Sequence, residues 1–217
     1  MDLLRQFVDV FLHLDKHLGE IISQYGTWTY SILVAIIFAE TGLVVTPFLP
    51  GDSLLFAAGS FAALGSLNVH LLFVLLTVAA IVGDGVNYWV GSRIGPRAFA
   101  MDNRFIKKEY LERTRRFYEK HGGKTVVLAR FVPIIRTFAP FVAGVGAMEY
   151  RRFVFFNIFG AVLWVGLFTY GGYFFGNLPI VKRNFTLVIL AIIALSVMPI
   201  VVEFVRGRRT GQGTARA

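Results

Sequence analysis

The chain has no cysteine. That excludes disulfides, thiolate metal sites and cysteine nucleophiles. Charge is sparse as well. Only 16% of the 217 residues are charged and only 13 are acidic, against about 25% charged in ordinary soluble domains. The four histidines, His13, His17, His70 and His121, fall at expected interfacial or loop positions, and no cluster with metal-ligand spacing appears. No catalytic residue, metal or cofactor is expected, and the chain is not expected to be an enzyme. A lipid phosphatase would need a nucleophile with acid–base partners in reach.

What fills the chain is apolar. Hydrophobic residues make up 56% of it and mean hydropathy is +0.64. Several runs approach the ~20 residues that span a bilayer. The net charge of +9 fits a nucleic-acid partner or a membrane surface. Its basic residues lie between apolar runs, which favours the membrane and no nucleic acid.

Residues 1–25 lack a basic start followed by a continuous apolar core, so no signal peptide is expected. Leu4, Phe7, Val8, Phe11, Leu14, Leu18, Ile21 and Ile22 recur at helical spacing among charged residues. This predicts an amphipathic helix in the interface, with packing against a domain as the alternative. Six apolar segments follow: Trp28–Thr46, Leu43–Leu64, Val69–Val90, Thr125–Ala147, Phe153–Gly176 and Phe185–Val205.

Two segments are broken. Pro47, Pro50 and Gly51 interrupt the second, and Pro133 and Pro140 the fourth. An arm of about ten helical residues covers roughly 15 Å, half of a ~30 Å hydrocarbon core. Such an arm can enter, turn and leave on one side if its irregular backbone is buried or lines a wet cavity. Two re-entrant helical hairpins are therefore predicted, with turns near Pro50–Gly51–Asp52 and near Arg136–Pro140.

A repeat accompanies them. Phe56-Ala-Ala-Gly59 matches Phe141-Val-Ala-Gly144, and Tyr88-Trp-Val-Gly91 matches Tyr173-Phe-Phe-Gly176, both at an offset of 85. The expected organisation is an N-terminal helix (1–25) and a membrane domain (26–205) with repeat halves at about 40–95 and 125–180. A basic linker (96–124) joins the halves and a basic tail (206–217) follows. Residues 91–124 hold ten of the 22 Lys and Arg, so that loop is expected in the cytoplasm, with both termini. The halves then run antiparallel and the hairpin tips meet near the midplane, as in inverted-repeat transporters. The linker helix Asp102–His121 can rest on anionic headgroups or serve topology alone.

Five charges lie inside the first four of these apolar segments. Arg130 and Arg136 stand in Thr125–Ala147, which has no carboxylate. Each costs roughly 2.5–3.5 kcal/mol at the bilayer centre on insertion scales. On one straight helix they would point about 120° apart, but Pro133 breaks the ladder and lets both turn to one point. Guanidinium forks match phosphate. The alternative is snorkelling to the surface or satisfying hairpin carbonyls. Glu40 sits near mid-bilayer, where a carboxylate is expected to be protonated or beside an arginine. Asp52 lies at the first hairpin tip, facing the arginines or capping the arm 53–64. If both acids face the arginines, proton binding competes with the ion pairs. Asp84 pairs with Arg93 or contributes to the substrate path. Tyr88, Trp89, Trp164 and Tyr173 read as belt or packing residues.

Glu40, the string Pro47-Phe-Leu-Pro-Gly-Asp52, Gly83-Asp84…Tyr88…Gly91-Ser-Arg93…Gly95, and Arg130-Phe-Val-Pro133-Ile-Ile-Arg136-Thr137 resemble the motifs of the DedA family, also called VTT-domain proteins. The resemblance covers about residues 25–205. It implies a multi-pass protein of the bacterial inner membrane that moves lipid phosphates, undecaprenyl phosphate or a phospholipid, in dependence on the proton motive force. It implies substrate-binding roles for Arg130 and Arg136 and proton-coupling roles for Glu40 and Asp52, although many members carry glutamate where Asp52 stands. Membrane lipids, the lipid phosphate and protons are the expected partners. The alternative is a proton-coupled ion or small-solute antiporter built on the same charges; a purely structural role would leave Arg130→Lys harmless.

Overall fold

The computed structural model describes residues 14–43, 51–100, 123–146, 148–185, 187–188 and 190–192. Outside these fall residues 1–13 of the expected N-terminal helix, Pro47, Pro50, the linker helix Asp102–His121, the last apolar segment beyond 192 and the basic tail.

The regular structure of the described residues is helical. It comprises α1 (Leu14–Tyr25), a 3-10 turn (Gly26–Trp28), α2 (Thr29–Gly42), α3 (Gly51–Ala63), α4 (Val69–Ala100), α5 (Lys124–Ala129), α6 (Pro133–Val145), α7 (Tyr150–Phe175) and α8 (Pro179–Arg183). Three stretches are long and apolar enough to cross a membrane: His17–Gly42, Val69–Gly95 and Tyr150–Phe175. Among the described residues the protein is all-helical, with the helices of a membrane protein.

Local chemistry sets the boundaries. Gly26, at φ 52°, separates α1 from α2. Gly65, at φ 83°, closes α3, and the Gly65 and Ser66 amides donate to the Ala62 and Phe61 carbonyls. Asn68 caps α4: its Oδ1 accepts from the amides of His70 and Leu71, both at 3.0 Å. Pro133 opens α6 after the extended Val132, a position where a missing N–H costs nothing. The break in the arginine segment therefore lies at Arg130–Val132, before Pro133, and not at the expected Arg136–Pro140; Pro140 is carried inside α6. Helix α4 also continues past Val90 to Ala100 instead of giving way to a loop at Gly91.

Cross-helix contacts give the directions. Tyr30 meets Asn68, and Thr41 and Gly42 meet Asn87 and Gly83, so α2 and α4 run parallel. Thr137 meets Asn87, Phe141 meets Gly91 and Val145 meets Gly95, so α6 joins them. His70 and Phe73 meet Tyr170 while Ile81 meets Asn157, so α7 runs the other way. Asp52–Trp164, Phe56–Gly172 and Ser60–Gly176 align α3 with α7, and Gly123–Phe156 and Val127–Gly160 align α5 with it. The order is α2 in one direction, α3 back, α4 forward, then α5, α6 and α7 with every direction reversed.

This corrects one expectation. Trp28–Thr46 was expected to cross antiparallel to Val69–Val90, but α2 runs parallel to α4. Its 14 residues alone reach about 21 Å, and only together with α1, in the stretch His17–Gly42, is the length enough for a ~30 Å core. Helix α1 buries Leu18 and sets Gly19 against Phe61. It thus packs at the end where α3 finishes and α4 begins, the end remote from Arg93 and Gly123. Residues 14–25 are therefore not on the linker's side, where the N-terminal segment was expected.

Between lipid-embedded helices, apolar transfer offers no drive, and close packing of small residues takes its place. The most extensive pairings are α4 with α6 and α3 with α7, and each is a glycine crossing. A Cβ on Gly59 would lie 2.9 Å from the Thr169 carbonyl carbon and 3.0 Å from the Tyr173 nitrogen. One on Gly144 would lie 3.1 Å from the Tyr88 carbonyl carbon and 2.8 Å from the Ser92 nitrogen. Reciprocally, a Cβ on Gly172 would lie 2.8 Å from the Phe56 carbonyl carbon, and one on Gly91 2.9 Å from that of Phe141. The Phe56–Gly59 and Phe141–Gly144 match thus holds at 85. Gly91, however, corresponds by contact to Gly172, and Gly95 to Gly176, a slip of one helical turn from the second sequence match. Each short helix packs on the long helix of the other half.

Candidate functional site

Helices α2, α3, α4 and α6 and the Arg130 turn bring charged side chains to one buried centre, against α7. Glu40, Asp52, Asp84, Arg130 and Arg136 are 0, 7, 2, 1 and 3% exposed. Three carboxylates face two guanidiniums, leaving one formal negative charge in excess when all are ionised.

Arg136, one turn into α6, is held from two helices. Its Nη2 donates to Glu40 Oε1 on α2, and its Nη1 to Asp52 Oδ1 on α3 at 2.6 Å. Glu40 Oε1 also accepts from the Gly51 amide at 3.2 Å. The α3 N-terminus thus points its amide and its dipole at the Glu40 carboxylate. A Cβ on Gly51 would sit 2.5 Å from Glu40 Cδ, so a larger residue there would displace the carboxylate. Asp52, in the first turn of α3, faces the arginine as expected.

Arg130, at the end of α5, takes different partners. Its Nη2 donates to Asp84 Oδ2 on α4 and to Asn157 Oδ1 on α7. Asn157 Nδ2 in turn donates to the Ile81 carbonyl at 3.0 Å. Gly160 leaves room, since a Cβ there would approach Arg130 Nε to 3.3 Å. Arg130 Nε and Nη1, Arg136 Nε, Glu40 Oε2 and Asp84 Oδ1 are buried polar atoms with no hydrogen-bond partner among the described residues. The two arginines therefore converge on one region but not on one ligand set.

Trp164 of α7, fully buried, joins the two sets. Its Nε1 donates to Asp52 Oδ1 at 2.8 Å. Its ring lies 4.7 Å from Arg136 Cζ and 5.8 Å from Arg130 Cζ. Desolvated cation–π contacts at such range are worth about 2 kcal/mol each. Nearby, Asn87 Nδ2 ties α2 and α6 together through the Thr41 and Thr137 carbonyls, at 3.2 and 2.7 Å.

The expected Asp84–Arg93 pair does not form. The two are nine residues apart on α4, which turns them to opposite faces at 100° per residue. Arg93 is exposed and rests over the Trp89 ring at 5.2 Å. Tyr88 donates to the Met148 carbonyl and stacks on Phe153 with centroids 4.3 Å apart, a packing role as expected. Asn157 and Trp164 are the residues that sequence reasoning left outside the site. Their signal was a lone asparagine seven residues before a tryptophan in an apolar helix, which puts both on one face.

The VTT domain family matches residues 49–174. Protein DedA of Escherichia coli K12 is 55% identical over the whole of both chains. An uncharacterized membrane protein of Mycobacterium leprae is 42% identical over 85% of this chain and 83% of that one. The inner membrane protein YqjA of Escherichia coli K12 is 36% identical over 70% of this chain and 69% of that one. No solved structure matches. With more than half of its length inside the VTT domain and full-length similarity to DedA, this chain belongs to the DedA family of membrane proteins.

Proposed function

We propose that the protein moves a lipid phosphate, undecaprenyl phosphate or a phospholipid, across the bacterial inner membrane, with the headgroup at the buried arginines and the tail in lipid. The observation that carries the reading is Arg136. It is buried between two carboxylates from two different helices, each on its own guanidinium nitrogen. A phosphate offers the same fork two oxygens, so it can replace the carboxylates without leaving a bare cation. Arg130 adds Nε and Nη1, which have no acceptor among the described residues, without having to release Asp84. Glu40 and Asp52 compete with the phosphate for Arg136. Protonating them frees the guanidinium, and the excess negative charge of the cluster favours proton uptake. Transport is thereby coupled to the proton gradient. The protein acts as a transporter and not an enzyme.

The architecture we propose is an inverted repeat of two re-entrant hairpins. The first is α2 and α3; the second is α5 and α6 with its tip at Arg130–Val132. The reversed helix directions and the exchanged glycine crossings support it. Gly51 and Pro133 form the hinges; Pro47 and Pro50, close to Gly51 in sequence, lie outside the described residues. With the basic residues 91–124 in the cytoplasm, α1 rests on the outer side.

The test uses proteoliposomes loaded with a polyprenyl phosphate, the same polyprenol without phosphate, or a soluble anion. Movement of the phosphate lipid alone is expected. Movement of a soluble ion but never of the lipid phosphate would replace this reading with the antiporter.

A further inference from the structure

We infer that Trp164 is a positioning residue of this site, holding the Arg136 guanidinium at the buried centre while its carboxylate partners are neutralised or displaced. The functional half of the inference rests on the proposed anion exchange at Arg136; the structural half does not.

The need arises from the site itself. When an anion replaces Glu40 and Asp52, or protons neutralise them, Arg136 loses both charged partners. A lone arginine at this depth is drawn towards the membrane surface on its flexible stem. Something that neither titrates nor competes with the anion must keep it in place. The indole ring has both properties. Its attraction for a cation comes from the ring quadrupole, and it leaves the guanidinium N–H donors available to oxygen ligands.

The geometry fits the task. Trp164 is 0% exposed and sits in the middle of α7. Its ring reaches Arg136 Cζ at 4.7 Å and Arg130 Cζ at 5.8 Å. A buried indole N–H demands an acceptor, and this one takes the Asp52 oxygen that also binds Arg136. The indole therefore fixes the cation and its carboxylate to each other. Asn157 and Gly160 occupy the same face of α7, seven and four residues earlier, so one helix face supplies the acceptor and the space for Arg130 as well as the ring.

The experiment follows the guanidinium directly. Arginine-labelled full-length protein in lipid nanodiscs gives a ring-current-shifted Arg136 signal, assigned by its loss in Arg136→Lys. The shift is expected to persist in Glu40→Gln, in Asp52→Asn and in Trp164→Phe, and to vanish in Trp164→Leu. Loss of the shift in Glu40→Gln or Asp52→Asn, with Trp164 intact and the protein folded by melting temperature, would overturn the inference. In proteoliposomes, Trp164→Leu is expected to lower lipid-phosphate movement about thirtyfold below Trp164→Phe, the fold-change of one desolvated cation–π contact. Equal rates in the two variants and wild type would overturn the functional half while leaving the transport reading standing. If wild type moves no lipid phosphate, the transport reading fails, and the nanodisc signal still decides the role of Trp164.

Discussion

At the residue scale, the buried charges differ in what they anchor. Arg130 ties three elements together through Asp84 and Asn157. Truncating one member of a buried pair leaves the other charge uncompensated, at a cost of about 3–5 kcal/mol. Arg130→Ala is thus expected to destabilise the protein by that order in a thermal or denaturant melt, and adding Asp84→Asn to recover part of the loss. Equal stability of the single and double variants would separate Arg130 from Asp84. Arg130, Arg136, Glu40 and Asp52 were legible because an ionised group in an apolar run is costly enough to need a reason. Their pairing was not. Arg130 finds Asp84 46 residues away and Trp164 meets Asp52 112 residues away, and no local spacing encodes such contacts. Trp164 was passed over because a tryptophan in an apolar span is ordinary until its N–H is seen facing a carboxylate.

At the scale of elements, the glycines decide which helices cross. Gly59 and Gly144 sit where a Cβ would enter the backbone of α7 and α4 respectively, whereas Gly85 and Gly171 face open space. Gly59→Ala or Gly144→Ala is expected to lower folded yield in the membrane and the melting temperature. Gly85→Ala and Gly171→Ala are expected to be neutral or to gain up to about 1 kcal/mol from helix propensity. If all four behave alike, the crossings are not what holds the halves together. The repeated Phe-x-x-Gly strings pointed to these crossings, and the first match kept its offset. The second slipped by four residues because a long helix can carry its small residues one turn along and still meet the same partner. The break in the arginine segment was misplaced for a related reason. Proline ends a helix in its interior but begins one at the first position, and sequence alone left open which of Pro133 and Pro140 played which part.

At the scale of the whole molecule, the reversed directions of α2–α4 and α5–α7 bring the acidic side chains of α2, α3 and α4 together with Arg130 and Arg136 inside one helical body. The absence of cysteine makes the topology directly measurable. Single cysteines at Arg93→Cys and Ser66→Cys, labelled in intact cells with an impermeant maleimide, are expected to report opposite sides, with residue 93 protected and residue 66 labelled. Labelling of both from outside would undo the proposed orientation. Hydropathy and basic clusters made the membrane class and the overall reversal legible. They did not give the direction of α2, which runs beside and parallel to α4, although the stretch His17–Gly42 that contains it is long and apolar enough to span. The central claim is that the buried carboxylates and Arg136 form one exchangeable, proton-coupled anion site. The most direct test is the rate of lipid-phosphate movement in proteoliposomes with and without a pH gradient, for wild type, Glu40→Gln and Arg136→Ala. The account predicts a gradient-stimulated rate for wild type, a rate insensitive to the gradient for Glu40→Gln, and a fall of at least about tenfold for Arg136→Ala. One common rate for all three proteins, unchanged by the gradient, would contradict it.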